Sequence, residues 1–312
     1  MANITAQAVQ SLRAKTGIGM MDCKRALVEA NGNEEEAIKL LREKGLAVAA
    51  KKSSRIAAEG IVDIMTTEDN KCAAMIEVNI ETDFAAKNET FGAFVKDLLH
   101  VILQHRPADL NALLALPFNA DMTVDAAVKD KIFTIGENLS IRRFVIIEGE
   151  LATYIHGKGT IGVIVKMADS SVASNPAFAE AAKNVALQIA AASPAVPTYL
   201  DQSHVPASVL DSEKEIITAQ IKSNEANAKK PANIIEKMVV GKLGKYYEQY
   251  CLLQQAYVKE DGMTVEQYLG SLSKELGDSV SVSSFVRYEK GEGLEKKEDD
   301  FAAEVERLTK GE

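Results

Sequence analysis

Along its first fifty residues the chain alternates short apolar stripes with sharp breaks, and the spacing predicts three helices. Val9 and Leu12 mark one face of a helix over 4–16, which TGIG ends. MMDCKRALVEANG reads as a second helix, closed by Asn31-Gly32. Asn33 opens a third, with Glu36 three residues on as a capping box and Ala37, Ile38, Leu40 and Leu41 as its stripe. Lys44-Gly45 reads as its end, and the basic, alanine-rich KGLAVAAKKSSRIAAEG as a linker, helical or extended. Then the pattern changes. IVDIM (61–65) and AAMIEV (73–78) predict strands, and a helix from about Asn88 carries Phe91, Phe94, Val95, Leu98, Leu99 and Ile102 at helical spacing. A further helical stretch over 125–135 leads to the strand IRRFVIIEGE.

The second half repeats this order. LATYIHG and GTIGVIVKM predict a strand hairpin, Pro176 to Ala192 a helix with Phe178, Val185 and Ile189, and SVSVSSFVRYEKGEG a closing strand. GENLSIRRFVIIEGE matches LGDSVSVSSFVRYEKGEG, and NETFGAFVKDLL matches NPAFAEAAKNVAL. Each half is β-β-α…β, so the expected fold is multidomain α+β with duplicated α/β core subdomains. An insertion interrupts the second copy. Two helices, one entered through VPASV and one from Asn233 to Cys251 behind Pro231, can face each other through Ile216, Ile217 and Ile221 against Ile234, Ile235, Met238, Val239 and Leu243. That is a helical-hairpin arm. The expected domains are a three-helix module and linker over 1–55, a core subdomain over 56–149, a second over 150–290 interrupted by the arm at about 206–252, and a C-terminal helical module over 291–312.

Composition narrows the class. A net charge of -9 argues against a bulk electrostatic grip on nucleic acid or an anionic membrane. The charge is uneven: ten Lys/Arg against seven Asp/Glu in the first sixty residues, and an acidic end from Glu292 to Glu312. Cys23, Cys72 and Cys251 stand alone, which fits buried, reduced thiols rather than a disulfide framework or a metal site. The start carries neither the basic nor the apolar region of a signal peptide, and no stretch approaches the length of a membrane span. Dispersed histidines and the lack of a phosphate-binding glycine loop leave an enzyme without its usual tools.

Several residues stay open between a structural and a contact role. Met20 and Met21 are adjacent, so they point in different directions, and so small a bundle can hardly bury both. Either one is core and the other incidental, or they form an adaptable contact patch with Lys24 one turn on. Lys51, Lys52 and Arg55 suit a solvated linker face or a phosphate patch. ETDFAAKN, over 81–88, follows a strand directly. Asp83 fits an Asx turn or helix cap. With Glu77, Glu81 and His156 it can also be read as a cation or acid–base group. The second copy has MADSSVASN at this join, so the Asp-Phe pair is special to copy one and not required by the fold. His156 sits in the turn YIHGKGT, solvated or in contact. The tail LEKKEDDFAAEVERL puts Phe301, Val305 and Leu308 on one stripe, a docked lid or a segment kept for a partner.

Taken together, KTGIGMMDCKRALVEANGNEEEAI, ETDFAAKNETF, IGENLSIRRF, HGKGTIGVIV, KPANIIEKMV and VRYEKGEGLEKKEDDFAAEV closely resemble the bacterial elongation factor Ts family, in order and over essentially the whole chain. The resemblance implies a ubiquitin-associated (UBA-like) three-helix module, two related core subdomains, a coiled-coil arm and a C-terminal helical module. It implies no enzyme and no cofactor, but a cytoplasmic guanine-nucleotide exchange factor for elongation factor Tu, in GDP-bound and nucleotide-free forms, with no direct contact to nucleic acid or membrane. By the same resemblance Thr82, Asp83, Phe84 and Ala85 dislodge the partner's Mg²⁺. Met20, Met21, Lys24 and the terminal helix with Phe301 meet the partner's nucleotide-binding domain, and His156 its C-terminal domain. A homodimer or a two-to-two complex with the partner is left open. The family often has valine where this chain has Ala85, and a glycine-arginine pattern where it has Lys158. The rival is a protein-interaction adaptor without exchange activity.

Overall fold

The computed structural model describes residues 4–224, 226 and 230–295; the expected C-terminal helical stripe with Phe301 lies outside the described residues. Three helices come first: α1 (Ala6–Thr16), α2 (Met20–Glu29) and α3 (Glu34–Lys52). Thr5 Oγ1 accepts from Ala8 N (3.2 Å) at the start of α1, and Gly17 ends it in the left-handed region at φ 69°. Asn33 caps α3 through Glu36 N (3.1 Å), the Asn33 half of the expected capping box. Leu12, Cys23, Leu27 and Leu41 fill the small core.

Two three-stranded antiparallel sheets follow. The first has the order β1 (Glu59–Thr66), β2 (Cys72–Ile80), β3 (Leu139–Glu148). It is accompanied by α4 (Asp83–Ala86), α5 (Glu89–His105), α6 (Leu110–Ala115) and α7 (Val124–Ile135). The second has the order β4 (Glu150–His156), β5 (Ile161–Met167), β6 (Val282–Glu289), with α8 (Pro176–Ala191). Between β5 and β6 also lie α9 (Ala207–Ser223), α10 (Ala232–Tyr250) and α11 (Val265–Leu276). The whole is a multidomain α+β architecture. Among the described residues no helix is long and apolar enough to cross a membrane.

All nine residues of β2 are buried, and side-chain alternation explains why. Ala74, Ile76, Val78 and Ile80 face the helices with Phe91, Phe94 and Leu98 of α5. Ala73 and Met75 face the other way and meet Ile164 of β5. The layers are therefore helix, sheet, sheet, helix, and the two sheets share an apolar seam. Gly162 of β5 is the closest approach in that seam: a Cβ there would lie 2.6 Å from Val62 Cγ1 and 2.8 Å from Met75 Sδ.

The same alternation puts Glu77 into the seam, fully buried at 0% exposure. A β-bulge lies opposite it. Glu77 pairs with Arg143 and Val78 with Ile141, so Arg142 is the extra residue. Neighbours on a regular strand point to opposite faces; the bulge lets both arginines reach one carboxylate. Arg142 Nη1 donates to Oε1 (2.9 Å) and Arg143 Nε to Oε2 (2.6 Å). Gly291 N, just beyond β6, donates to Oε1 as well (2.8 Å), and Arg143 reaches back to the Glu289 carbonyl (3.3 Å). One carboxylate thus ties the chain end of the second sheet to the first.

Two expectations change. The third helix does not stop at Lys44-Gly45 but runs to Lys52, taking in the first part of the expected linker. Gly45 lies inside the helix against Phe133 of α7, 3.4 Å from where a Cβ would be, and does not act as a cap. In the arm, Ile217, Ile221 and Leu243 form the buried seam with Ile235, Met238 and Val239 beside it. Ile216 and Ile234 stay exposed, since a pair of helices has one shared stripe to bury. All three cysteines are free and buried, and burial pushes the Cys251 thiol up to about 11.

Replacing Glu77 with alanine leaves two arginines and the Gly291 N–H without their common acceptor. Glu77→Ala is expected to lower unfolding free energy by about 3 kcal/mol, read from the urea midpoint at unchanged slope.

Candidate functional site

The segment after β2 folds as a single four-residue helical turn, α4. So short a turn has little stability of its own, because nucleation fixes several dihedrals for one hydrogen bond. Its supports are side chains. Thr82 Oγ1 accepts from Ala85 N (3.2 Å) as an N-cap. Glu137, two residues before β3, accepts from Thr82 N (3.0 Å) through one oxygen and from Thr82 Oγ1 (2.8 Å) through the other. The exchange is reciprocal: Glu81 accepts from Asn138 N (2.5 Å) and pairs with Arg55 (3.5 Å).

Burial sorts the four residues of the turn. Ala85 and Ala86 face the core beneath α5. Phe84 faces away, 83% exposed, the most exposed large apolar side chain among the described residues. A single exposed apolar residue is ordinary on a protein surface; what sets this one apart is its seat on a turn fastened by Glu137. Asp83 caps nothing; its carboxylate is paired with Lys87 (2.6 Å), and the Lys87 ammonium lies 5.9 Å from the Phe84 ring centre. The hydrogen bond from Lys87 holds the Asp83 carboxyl below the usual carboxylate range.

The other expected contact residues occupy two more exposed places. On α2, Cys23, Ala26 and Leu27 are buried, and Met20 (51%), Met21 (63%), Lys24 and Val28 are not. Neither methionine is core, so of the two readings of this pair the one that buries a methionine fails. His156 ends β4 in the open, with Tyr154 Oη 3.1 Å from its Nδ1. The turn beyond it, Gly157-Lys158-Gly159, lies wholly at positive φ (60°, 56° and 97°). It is pinned to the first sheet by Val62 N donating to the Gly159 carbonyl (2.8 Å). A Cβ on Gly159 would lie 2.7 Å from Ile61 Cγ2, so glycine is needed there.

The carboxylates do not converge. Glu77 is buried under arginines, Glu81 is spent on Asn138 N and Arg55, and Asp83 is paired with Lys87 on the surface. Among the described residues no group of three or more His, Cys, Asp or Glu could hold a metal ion. The acid–base and cation readings of ETDF have no geometry behind them. Sequence reading missed Glu137 and Lys87. Lys87 was visible at four residues from Asp83, and Glu137 in the match of GENLS to GDSVS.

Comparison with known proteins places this geometry. A family model described as elongation factor TS matches residues 81–292, from the start of the Phe84 turn to the Glu77-bound end of β6. A protein from Syntrophotalea carbinolica described as elongation factor Ts is 47% identical over 311 residues, 98% of this chain and 99% of its own. Those so described from Clostridioides difficile and Clostridium perfringens are 46% and 45% identical, over 99% and 98% of this chain and 100% and 99% of theirs.

If Lys87 sets the Asp83 titration, Lys87→Met moves it up toward the ordinary carboxylate value, as followed by carboxyl NMR. The native value is depressed, so the pair's contribution to the turn is present above the ordinary carboxylate pKa and is lost as pH falls through the lowered one. A full-length match over this much of the sequence leaves one assignment: the chain belongs to the elongation factor Ts family.

Proposed function

We propose that this chain promotes GDP release from elongation factor Tu by pushing Phe84 into the partner beside its nucleotide and Mg²⁺ site. The general activity of the family is nucleotide exchange in translation elongation, and its members are not themselves catalytic. Everything finer is our reading: Thr82, Asp83, Phe84 and Ala85 as the segment that disturbs Mg²⁺, Met20, Met21 and Lys24 against the nucleotide-binding domain, and His156 against the C-terminal domain. We also read the three-helix module as ubiquitin-associated in type, the two sheet units as copies of one, and the cytoplasm as the place of action.

The observation that carries the reading is an exposed phenylalanine on an anchored turn. Mg²⁺ is the largest local positive charge against a bound nucleotide diphosphate, so displacing it weakens the nucleotide strongly. A phenyl ring has two side-chain torsions and loses little freedom when inserted, which suits it to shifting a helix junction. Within the turn the roles divide: Phe84 projects, Asp83 and Lys87 flank it with charge, and Ala85 seats the turn on its own core. A valine at 85 would add two methyl groups on the buried side, not on the face toward the partner.

Exchange requires tighter binding to the nucleotide-free partner than to the GDP-bound one. By linkage GDP weakens the factor by the same ratio. GTP then rebinds and releases the factor, and no covalent bond is made or broken. The adaptor reading accounts for the exposed methionines of α2 but gives Phe84 nothing to do.

Elongation factor Tu loaded with fluorescent GDP provides the test. Catalytic amounts of the chain should accelerate release, and unaccelerated release with intact binding would leave the adaptor. Phe84→Ala should slow stimulated release by about 30-fold, the scale of a hot-spot aromatic, while thermal stability stays within about 0.5 kcal/mol, as for other surface changes.

A further inference from the structure

The two sheet units differ at one join in a way that isolates a device. In both, a helix ends on a left-handed glycine, Gly136 at φ 87° and Gly277 at φ 78°, and the next residue is an acid. In both, the strand that follows carries the bulge at the same place, IRRF against VSSF. The ladder register then equates Glu137 with Asp278 and Thr82 with Ser171. The donors match as well, although Asp278 receives them on one oxygen, Oδ2, which also accepts from Ser170 Oγ (3.1 Å), where Glu137 uses both of its oxygens. Asp278 accepts from Ser171 N (2.7 Å) and Ser171 Oγ (2.6 Å), as Glu137 does from Thr82 N and Oγ1.

Downstream of these anchors each unit has a second fixed point. Asn88 caps α5 through Thr90 N (2.8 Å), and Asn175 caps α8 through Ala177 N (2.9 Å). From Thr82 to Asn88 is six positions; from Ser171 to Asn175 is four. The first unit therefore holds two more residues between the same two anchors, and the turn with Phe84 is where they go. Three residues cross the shorter span in hydrogen-bonded turns that do not continue into a helix, with Asn175 N donating to the Val172 carbonyl (2.8 Å); five close into α4.

We propose that Glu137 is a positioning residue for nucleotide exchange: its two-point grip on Thr82 fixes the expanded turn and so the direction in which Phe84 is presented. Thr82 Oγ1 has one proton. Given to the Glu137 carboxylate, it leaves a lone pair facing Ala85 N, and the cap forms with the hydroxyl already oriented. Asp278 fastens the matching residue through one oxygen, on a segment that presents no aromatic group. The inference rests on the exchange reading above, in which Phe84 is the group that acts on the partner.

The test is a double-mutant cycle read by stimulated GDP release at saturating factor. Glu137→Ala should slow release about fivefold, the loss expected when a helix cap loses its support, with binding through the other surfaces little changed. In a Phe84→Ala background Glu137→Ala should do nothing more, because it acts through that ring. Asp278→Ala removes the matching grip in the second unit and should leave release unchanged. Glu137→Gln keeps one acceptor oxygen, should fall between, and carries the test if the alanine variant does not fold. An equal loss in both backgrounds, or no loss in either, overturns the positioning role while the effect of Phe84→Ala alone still stands. No effect of Phe84→Ala itself overturns the exchange reading and the positioning role together.

Discussion

The carboxylate of Glu77 is the contact on which the arrangement of the two sheets depends. It is buried in the seam between them, and a charge in that position is stable only when fully partnered. The bulge supplies the partners by bringing Arg142 and Arg143 to the same face. The Gly291 N–H adds a donor from the far sheet, and Arg143 also stacks on Tyr288 with its guanidinium 4.1 Å from the ring centre. An apolar seam alone could slide, because Val62, Ala73, Met75 and Ile164 have no directional preference. A carboxylate with donors from both sheets sets the register between them.

That fixed register would give the ring of the proposed exchange role a firm base. Phe84 stands just beyond β2, the strand buried on both faces, four residues past its last ladder pair with β3. The groups that hold the turn are hydrogen bonds at the sheet's own edge, so force applied to the ring passes directly into the sheet. His156 stands at the end of β4, and its turn is stitched to β1 through Gly159. Two of the proposed contact points are thus tied to the same double sheet. The third, on α2, reaches it through α3, whose Gly45 lies against Phe133 of α7. A factor that must hold a partner at several places and distort it at one has a physical reason to fix these points to one frame.

Much of this was legible in the sequence because it follows from periodicity. The strand and helix order, the arm and the internal match of IRRF to VSSF all come from patterns that local physics enforces. What escaped reading was set by tertiary contact. Gly45 looks like a helix end in sequence and is a packing position, since only the neighbour Phe133 distinguishes the two. The arm's isoleucines all have helical spacing, but which of them lie in the seam depends on the rotation of each helix, and Ile216 and Ile234 fall outside it. Glu77 reads as a candidate acid until the bulge is seen to deliver two arginines. For ETDF, sequence offered a cap or an acid for Asp83; the cap is Thr82 next to it, and Asp83 pairs with Lys87.

The central claim is that Phe84 couples factor binding to loss of nucleotide. The direct measurement is the affinity of elongation factor Tu for GDP, with and without saturating factor, for the native chain and for Phe84→Ala. The account predicts that the native chain weakens GDP binding by about 100-fold, toward the upper end of common coupling strengths, and that Phe84→Ala loses most of that coupling while still binding the nucleotide-free partner. Equal coupling with and without the ring would contradict it.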